Sequence, residues 1–271
     1  MNWLLWGGLG APALAFACIL GVVFCNAINP PGGKETPTST ALPLARATPT
    51  FTALPLARAT PTATSGRPAP TSSVGILFSD DFASMSESEG KGWTFESGDN
   101  VDWSWSANAL SASVQKKNWI GWNSPDGEYD DFGAEIEAQP SSSGYVEYGI
   151  IFRISGETDT RSYYIFGLTS EGKYFLQKKV DGKWADTDPV NTTSSQLIKQ
   201  GQARNRLGVQ AQGDQISLYI NGSLVKTVND DSVSSGTLGV FAGTGDNDQA
   251  GVTFSRLTIL SAERAAADWG R

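Results

Sequence analysis

The sequence predicts an all-β domain, an antiparallel two-sheet jelly-roll sandwich over residues 75–260, preceded by a membrane-spanning helix and a disordered linker. Three observations predict the sandwich. Apolar residues come in short runs that alternate with polar ones, the two-residue period of a half-buried strand. Turn dipeptides that accept positive φ, such as Asp181-Gly182, Gly213-Asp214 and Asn221-Gly222, separate those runs. No stretch of the domain holds a helical period of useful length. A chain segment of this size buries ~70% of the surface it exposes when unfolded, so it needs no cross-link. None is available either, since both cysteines precede residue 26.

Taken from the N-terminus, Trp3 to Cys25 runs 23 residues without a charged side chain. About 20 apolar residues span the hydrocarbon core, so residues 1–28 read as a transmembrane anchor or a signal peptide. Cys25-Asn26-Ala27 offers small residues for a cleavage site, but no basic region precedes the apolar run. A lipidated Cys25 would want a small residue before it, and Phe24 stands there. Residues 29–74 hold nine of the thirteen prolines and repeat TALPLARATPT at 40–50 and 52–62. Proline at every sixth position defeats helix and sheet alike, so this reads as a Pro/Thr-rich spacer reaching on the order of 140 Å when extended. Lys34 and Arg46 follow the span, on the side the positive-inside rule would keep cytoplasmic. The stalk character of the linker outweighs that small excess and places the β-domain outside the cell membrane.

Strands then follow in order: ILFSDDF, VDWSWSA and ALSASVQ around a turn at Asn108, DFGAEIEAQ, YVEYGIIFRI, SYYIFGL, KYFLQKKV and KWADT around Asp181-Gly182. The clearest group is NRLGVQAQ, QISLYI and SLVKTV, a three-stranded meander. GTLGVFAG and VTFSRLTIL close the set, and residues 261–271 form a tail with room for a short helical turn.

Composition excludes several chemistries. The chain contains no histidine, which removes Ser-His-Asp and Cys-His nucleophiles and His-bearing metal sites. Residues 76–260 carry 14 Lys and Arg against 25 Asp and Glu, a net −11. Nucleic acid requires a basic footprint, so it is not an expected partner.

FSDDF near the start, YGIIFRI at 148–154, NRLGVQAQGDQISLYINGSLV at 205–225 and GTLGVF followed by VTFSRLTIL at 236–260 together resemble the concanavalin-A-like jelly-roll superfamily, including its laminin-G-like and 3-keto-disaccharide hydrolase-like domains. The resemblance implies a lectin-like sandwich, a fold that serves sugar-binding modules, glycosidases and structural modules alike. Relatives of the hydrolase type often carry a His after the G-x-(I/L)-G strand. Here Phe241, Ala242, Gly243, Thr244 and Gly245 occupy that stretch. Superfamily glucanases place carboxylates two apart on one strand. The nearest match, Glu135-Ile136-Glu137-Ala138-Gln139, has an amide at its third position, and Ala134, Ile136 and Ala138 fit a core face better. No catalytic residue is therefore assigned.

Sugars stack their C–H faces on flat aromatic rings with polar groups alongside. Trp103 and Trp105 share a strand face and read as core. Trp119, Trp122 and Tyr129 lie beside the Pro125-Asp126-Gly127 turn and read as exposed aromatics. Arg153, expected to alternate against inward Phe152 and Ile154, could donate paired hydrogen bonds, with Tyr163, Tyr164 and Lys178 beside it on a concave sheet. These seven residues are the expected carbohydrate site. The acidic pairs 80–81, 130–131 and 230–231 and the triplet 246–248 read as solvated loops, with structural calcium as the alternative. No cofactor and no metal ligand is expected. The chain reads as a surface-anchored, non-catalytic carbohydrate-binding module. The alternatives are a glycoside-processing enzyme of the 3-keto-disaccharide hydrolase type and a structural envelope or adhesion subunit.

Overall fold

Two-residue alternation becomes fifteen strands and two helices in the computed structural model, which describes residues 75–106 and 108–269. The apolar segment 3–25 and the linker 29–74 lie outside the described residues. Among the described residues no helix is long and apolar enough to cross a membrane.

The strands in chain order are β1 (Ile76–Asp80), β2 (Val101–Ser106), β3 (Ala109–Val114), β4 (Ile120–Asn123), β5 (Phe132–Pro140), β6 (Glu147–Ser155), β7 (Ser162–Thr169) and β8 (Lys173–Val180). They continue as β9 (Lys183–Trp184), β10 (Val190–Ser194), β11 (Asn205–Gln212), β12 (Gln215–Ile220), β13 (Ser223–Asn229), β14 (Thr237–Gly243) and β15 (Ala250–Ser261). A five-residue helix, α1 (Met85–Glu89), is capped by Ser84, whose hydroxyl accepts from the Glu87 amide. The tail forms α2 (Ala262–Trp269).

Two antiparallel sheets result. The first runs β13-β12-β11-β5-β15-β3-β2, with β1 pairing on β15; the second runs β10-β8-β7-β6-β14-β4, with β9 pairing on β8. The expected meander is there: Leu207, Val209 and Ala211 pair with Ile220, Leu218 and Ile216, and Asn221-Gly222 turns into β13 with Asn221 at φ 51°. The elements absent from the sequence reading are short or weakly alternating. Residues 120–123, expected beside a loop, form edge strand β4, and β10 carries Val190 as its one buried residue.

The core lies between the sheets. Ile136, Leu207, Val209, Leu218, Phe254 and Leu257 of the first sheet meet Tyr148, Ile150, Phe152, Phe166, Leu176 and Val240 of the second, all completely buried. Residues from Ser72 onward form one compact unit that contains this whole core, so the domain holds what it needs to fold alone. The outer faces of the two sheets differ. α2 lies against β5, β11 and β15 of the first sheet, with Ala265 over Gly133 and Trp269 against Tyr219 at 5.1 Å. On the outer face of the second sheet apolar side chains pack into a buried cluster of their own.

Candidate functional site

That face carries a second apolar cluster, the buried Ile151, Ile154, Tyr163, Ile165, Phe175 and Phe241, flanked by the half-buried Ile120 and Trp122. Strand register explains it. One row across the sheet reads Trp122, Phe241, Gly149, Gly167 and Phe175 through successive pairs. A β-carbon at Gly167 would overlap the Phe175 ring, and one at Gly149 would stand 3.0 Å from the Phe241 ring and clash with the Phe166 carbonyl. The two glycines let the rings lie down on the sheet, 6.4 Å apart, an arrangement that a close backbone approach by Gly permits.

An aromatic series forms the edge of this floor. The Trp122 and Tyr163 rings are 5.9 Å apart at 47°, and Tyr163 and Trp184 are 5.9 Å apart at 84°. Trp184 is 47% exposed, so its ring meets solvent. Arg161 stands 5.7 Å from the Trp122 centroid, and Lys179 Nζ stands 5.9 Å from Trp184 and 6.0 Å from Tyr163. Burial pushes the Tyr163 hydroxyl up to about 12, against the opposing pull of Arg161. Polar groups border the floor. The Tyr145 hydroxyl donates to Glu147 Oε1 at 2.6 Å, and Gln177 Nε2 donates to Asp188 Oδ2 at 3.2 Å. Burial raises both carboxyls above the usual range, and the donated hydrogen bonds offset this only in part.

Of the seven residues read from sequence, the structure brings Trp122 and Tyr163 together on this face. Trp119, 37% exposed, sits just before β4 with Lys116 Nζ 4.1 Å over its ring and its backbone amide donating to Thr244 Oγ1. Tyr129 is half-buried at the rim of the main core against Phe132, its backbone bridged to Gly236.

Arg153 requires a correction. It has φ 54° at a β-bulge, where the register of β6 slips against both β7 and β14. The extra residue turns Phe152 and Arg153 toward the sandwich interior and Ile154 outward, so Ile154 is not an inward neighbour as alternation predicts. The Arg153 guanidinium, 1% exposed, donates to the carbonyls of Val233, Asp130 and Gly213 at 2.9–3.0 Å and ties three loops together. Tyr164 and Lys178 are cross-strand partners on the inner side. The Tyr164 ring stacks on Phe152 at 5.3 Å. Its hydroxyl donates to Asp230 Oδ1 at 2.6 Å, while Lys178 Nζ binds Asp230 Oδ2 at 2.6 Å and Ser232 Oγ at 2.8 Å. Arg153, Tyr164 and Lys178 thus hold the end of the sandwich and do not share the face with Tyr163.

The outer side of β5 carries Glu135 and Glu137, with Ala134, Ile136 and Ala138 in the core. Glu135 pairs with Arg206 at 3.2 Å and Glu137 with Arg204 at 3.6 Å. Both carboxylates lie on the first sheet, away from the aromatic face. Among the described residues no three His, Cys, Asp or Glu side chains converge as a metal site requires. Asp80 instead accepts from the Phe82 amide, and Asp131 accepts from the Gly213 amide.

Trp184, Phe175, Phe241, Arg161, Lys179 and Gln177 complete the face and were not singled out from sequence. The signal was present in two glycines within strands, Gly149 and Gly167, and in the shared parity of Tyr163, Ile165 and Gly167 with Phe175, Gln177 and Lys179.

No family model matches the chain, and no curated protein matches it. Solved structures do. The carbohydrate binding module CBM66 from Bacillus subtilis superposes with a TM-score of 0.50 at 18% identity, covering 63% of this chain and 96% of that one. The β-glucanase of Bacillus licheniformis gives 0.52 at 12% identity, covering 70% and 100%. A structure described with the endo-acting O-glycanases that human gut microbiota express to initiate mucin breakdown gives 0.52 at 10% identity, covering 69% and 99%. The likeness is one of fold: the domain shares the two-sheet antiparallel jelly-roll sandwich of these structures.

Proposed function

We propose that the domain is a carbohydrate-binding module that takes a glycan on the outer face of the second sheet, along Trp122, Tyr163 and Trp184. The observation that carries this reading is a run of three aromatic rings at 5.9 Å spacing that ends on the exposed Trp184, with Trp122 half-buried and Tyr163 buried between them. The exposed ring of Trp184, beside polar and charged groups, suits the apolar face of a sugar. Binding without hydrolysis is the reading favoured by the carboxyls. Glycoside hydrolysis needs two carboxyl groups roughly 5–10 Å apart. The register separates Glu147 from Gln177, which holds Asp188, by two strands and four residues, on the order of 16 Å between backbones. The apolar segment 3–25 and the Pro/Thr-rich stretch 29–74 support an arrangement in which the module stands clear of a membrane on its outer side.

A glycan array probed with residues 72–271 tests the proposal. Binding of at least one oligosaccharide class is expected, and Trp184→Ala should weaken it about tenfold, ~1.4 kcal/mol, without lowering the melting temperature, since the ring is half-exposed. Absence of binding across plant, microbial and animal glycans would defeat it.

A further inference from the structure

The charged groups of the aromatic face point to the class of glycan. Six ion pairs form among the described residues, involving Lys91, Lys173, Lys178, Arg204, Arg206 and Arg264. Arg161 and Lys179 belong to none of them. Both stand within 6.0 Å of the centroids of the aromatic series, Arg161 at Trp122 and Lys179 between Tyr163 and Trp184. Other cations of the domain, such as Lys199 and Lys226, also stand outside these pairs, so what sets Arg161 and Lys179 apart is their place at the rings of one sheet face. The acids nearest in sequence, Glu157, Asp159, Asp181 and Asp186, make no ion pair with either cation, and Asp188 is held by Gln177.

A neutral sugar stacked on the rings needs no cation beside it. An anionic sugar does, and two donors of different shape spaced along one aromatic run suit it. A guanidinium meets a carboxylate or sulfate through two parallel hydrogen bonds, while an ammonium acts as a compact point charge. Next to ring faces, with part of the water displaced, such a pair is stronger than in bulk solvent. The overall negative charge would repel a polyanion at long range, so retention of one must come from this local pair of cations.

We propose that the face selects acidic glycans, bearing uronate or sulfate groups, with Arg161 and Lys179 as the anion-binding residues flanking the aromatic series. This rests on the glycan-binding reading above. The test is isothermal titration calorimetry of residues 72–271 with oligogalacturonate, a sulfated galactan oligosaccharide and the neutral counterpart of each. At least one acidic oligosaccharide should bind tenfold or more tightly than its neutral counterpart. The preference should shrink as salt is raised, and Arg161→Gln and Lys179→Gln should each remove most of it. The uronate and sulfate arms identify which anion is recognised. Equal affinity for acidic and neutral glycans, unchanged in both variants, would overturn the selectivity and leave the glycan-binding reading standing. Absence of binding to every oligosaccharide, with no effect of Trp184→Ala on any array signal, would remove both.

Discussion

The guanidinium of Arg153 holds three loops by their carbonyls, and its place there follows from one backbone angle, φ 54°, at the β6 bulge. Alternation could not foresee this, because a bulge inserts one residue and reverses the facing of all that follow. Trp122 and Tyr163 were legible because their type and parity agree. Tyr164 and Lys178 were misplaced because position along the strand decides whether a polar tip reaches the sandwich end, and sequence does not show where a sheet stops. Arg153→Leu takes the donor from one buried and two part-buried carbonyls and should cost about 2–4 kcal/mol, read as a shift in the urea midpoint. A substitution cost below about 1 kcal/mol would mean the loops do not depend on it.

Asp230 allows a pH prediction. Burial alone would raise its carboxyl, but hydrogen bonds from Lys178, Tyr164 and Ser232 outweigh it and bring it to about 2, below the ordinary 3.8. A carboxyl lowered on folding stabilises the native state above its unfolded pKa, and that stability is lost as pH falls through about 2. Allowing for solvent screening, the contribution is about 1–2 kcal/mol. Asp230→Asn should therefore lower the melting temperature at pH 6 and leave it nearly unchanged at pH 2. Equal losses at both pH values would assign the effect to packing instead of charge.

Among elements, the strong strands and hairpins were legible, including the β8-β9 hairpin at Asp181-Gly182, while β4 and β10 were not. β11 and β12 alternate over six or more residues, whereas β4 has four and β10 carries one buried residue. The missed ones exist because neighbours supply their ladder bonds: β4 pairs on β14, β10 on β8. Trp122 of β4 belongs to the candidate site, so one of its recognition parts is among its least predictable. β7 offers a direct test, since Gly167 leaves the Phe175 ring room to lie on the sheet. Gly167→Ala should force that ring up and destabilise the domain by about 1–3 kcal/mol. It should also weaken glycan binding by disturbing the floor beneath the aromatic series. Thermal unfolding gives the first outcome and titration with an array-selected glycan the second. A variant as stable as the parent would show that the ring lies elsewhere.

At the scale of the whole molecule, the two sheets present different outer surfaces: α2 covers part of one, and the aromatic series lines the other. The sandwich class followed from period and turns alone. The division of labour between its faces did not, because it depends on strand order and on where the tail helix docks, neither of which a local pattern encodes. The central claim is that ligand meets the second sheet, and the tryptophans are its reporters. Indole N–H resonances of residues 72–271, recorded during titration with an array-selected oligosaccharide, should move for Trp122 and Trp184 and stay fixed for the core residues Trp93 and Trp103. Shifts confined to Trp119 or Trp269, with Trp122 and Trp184 unmoved, would place the ligand elsewhere and contradict the account.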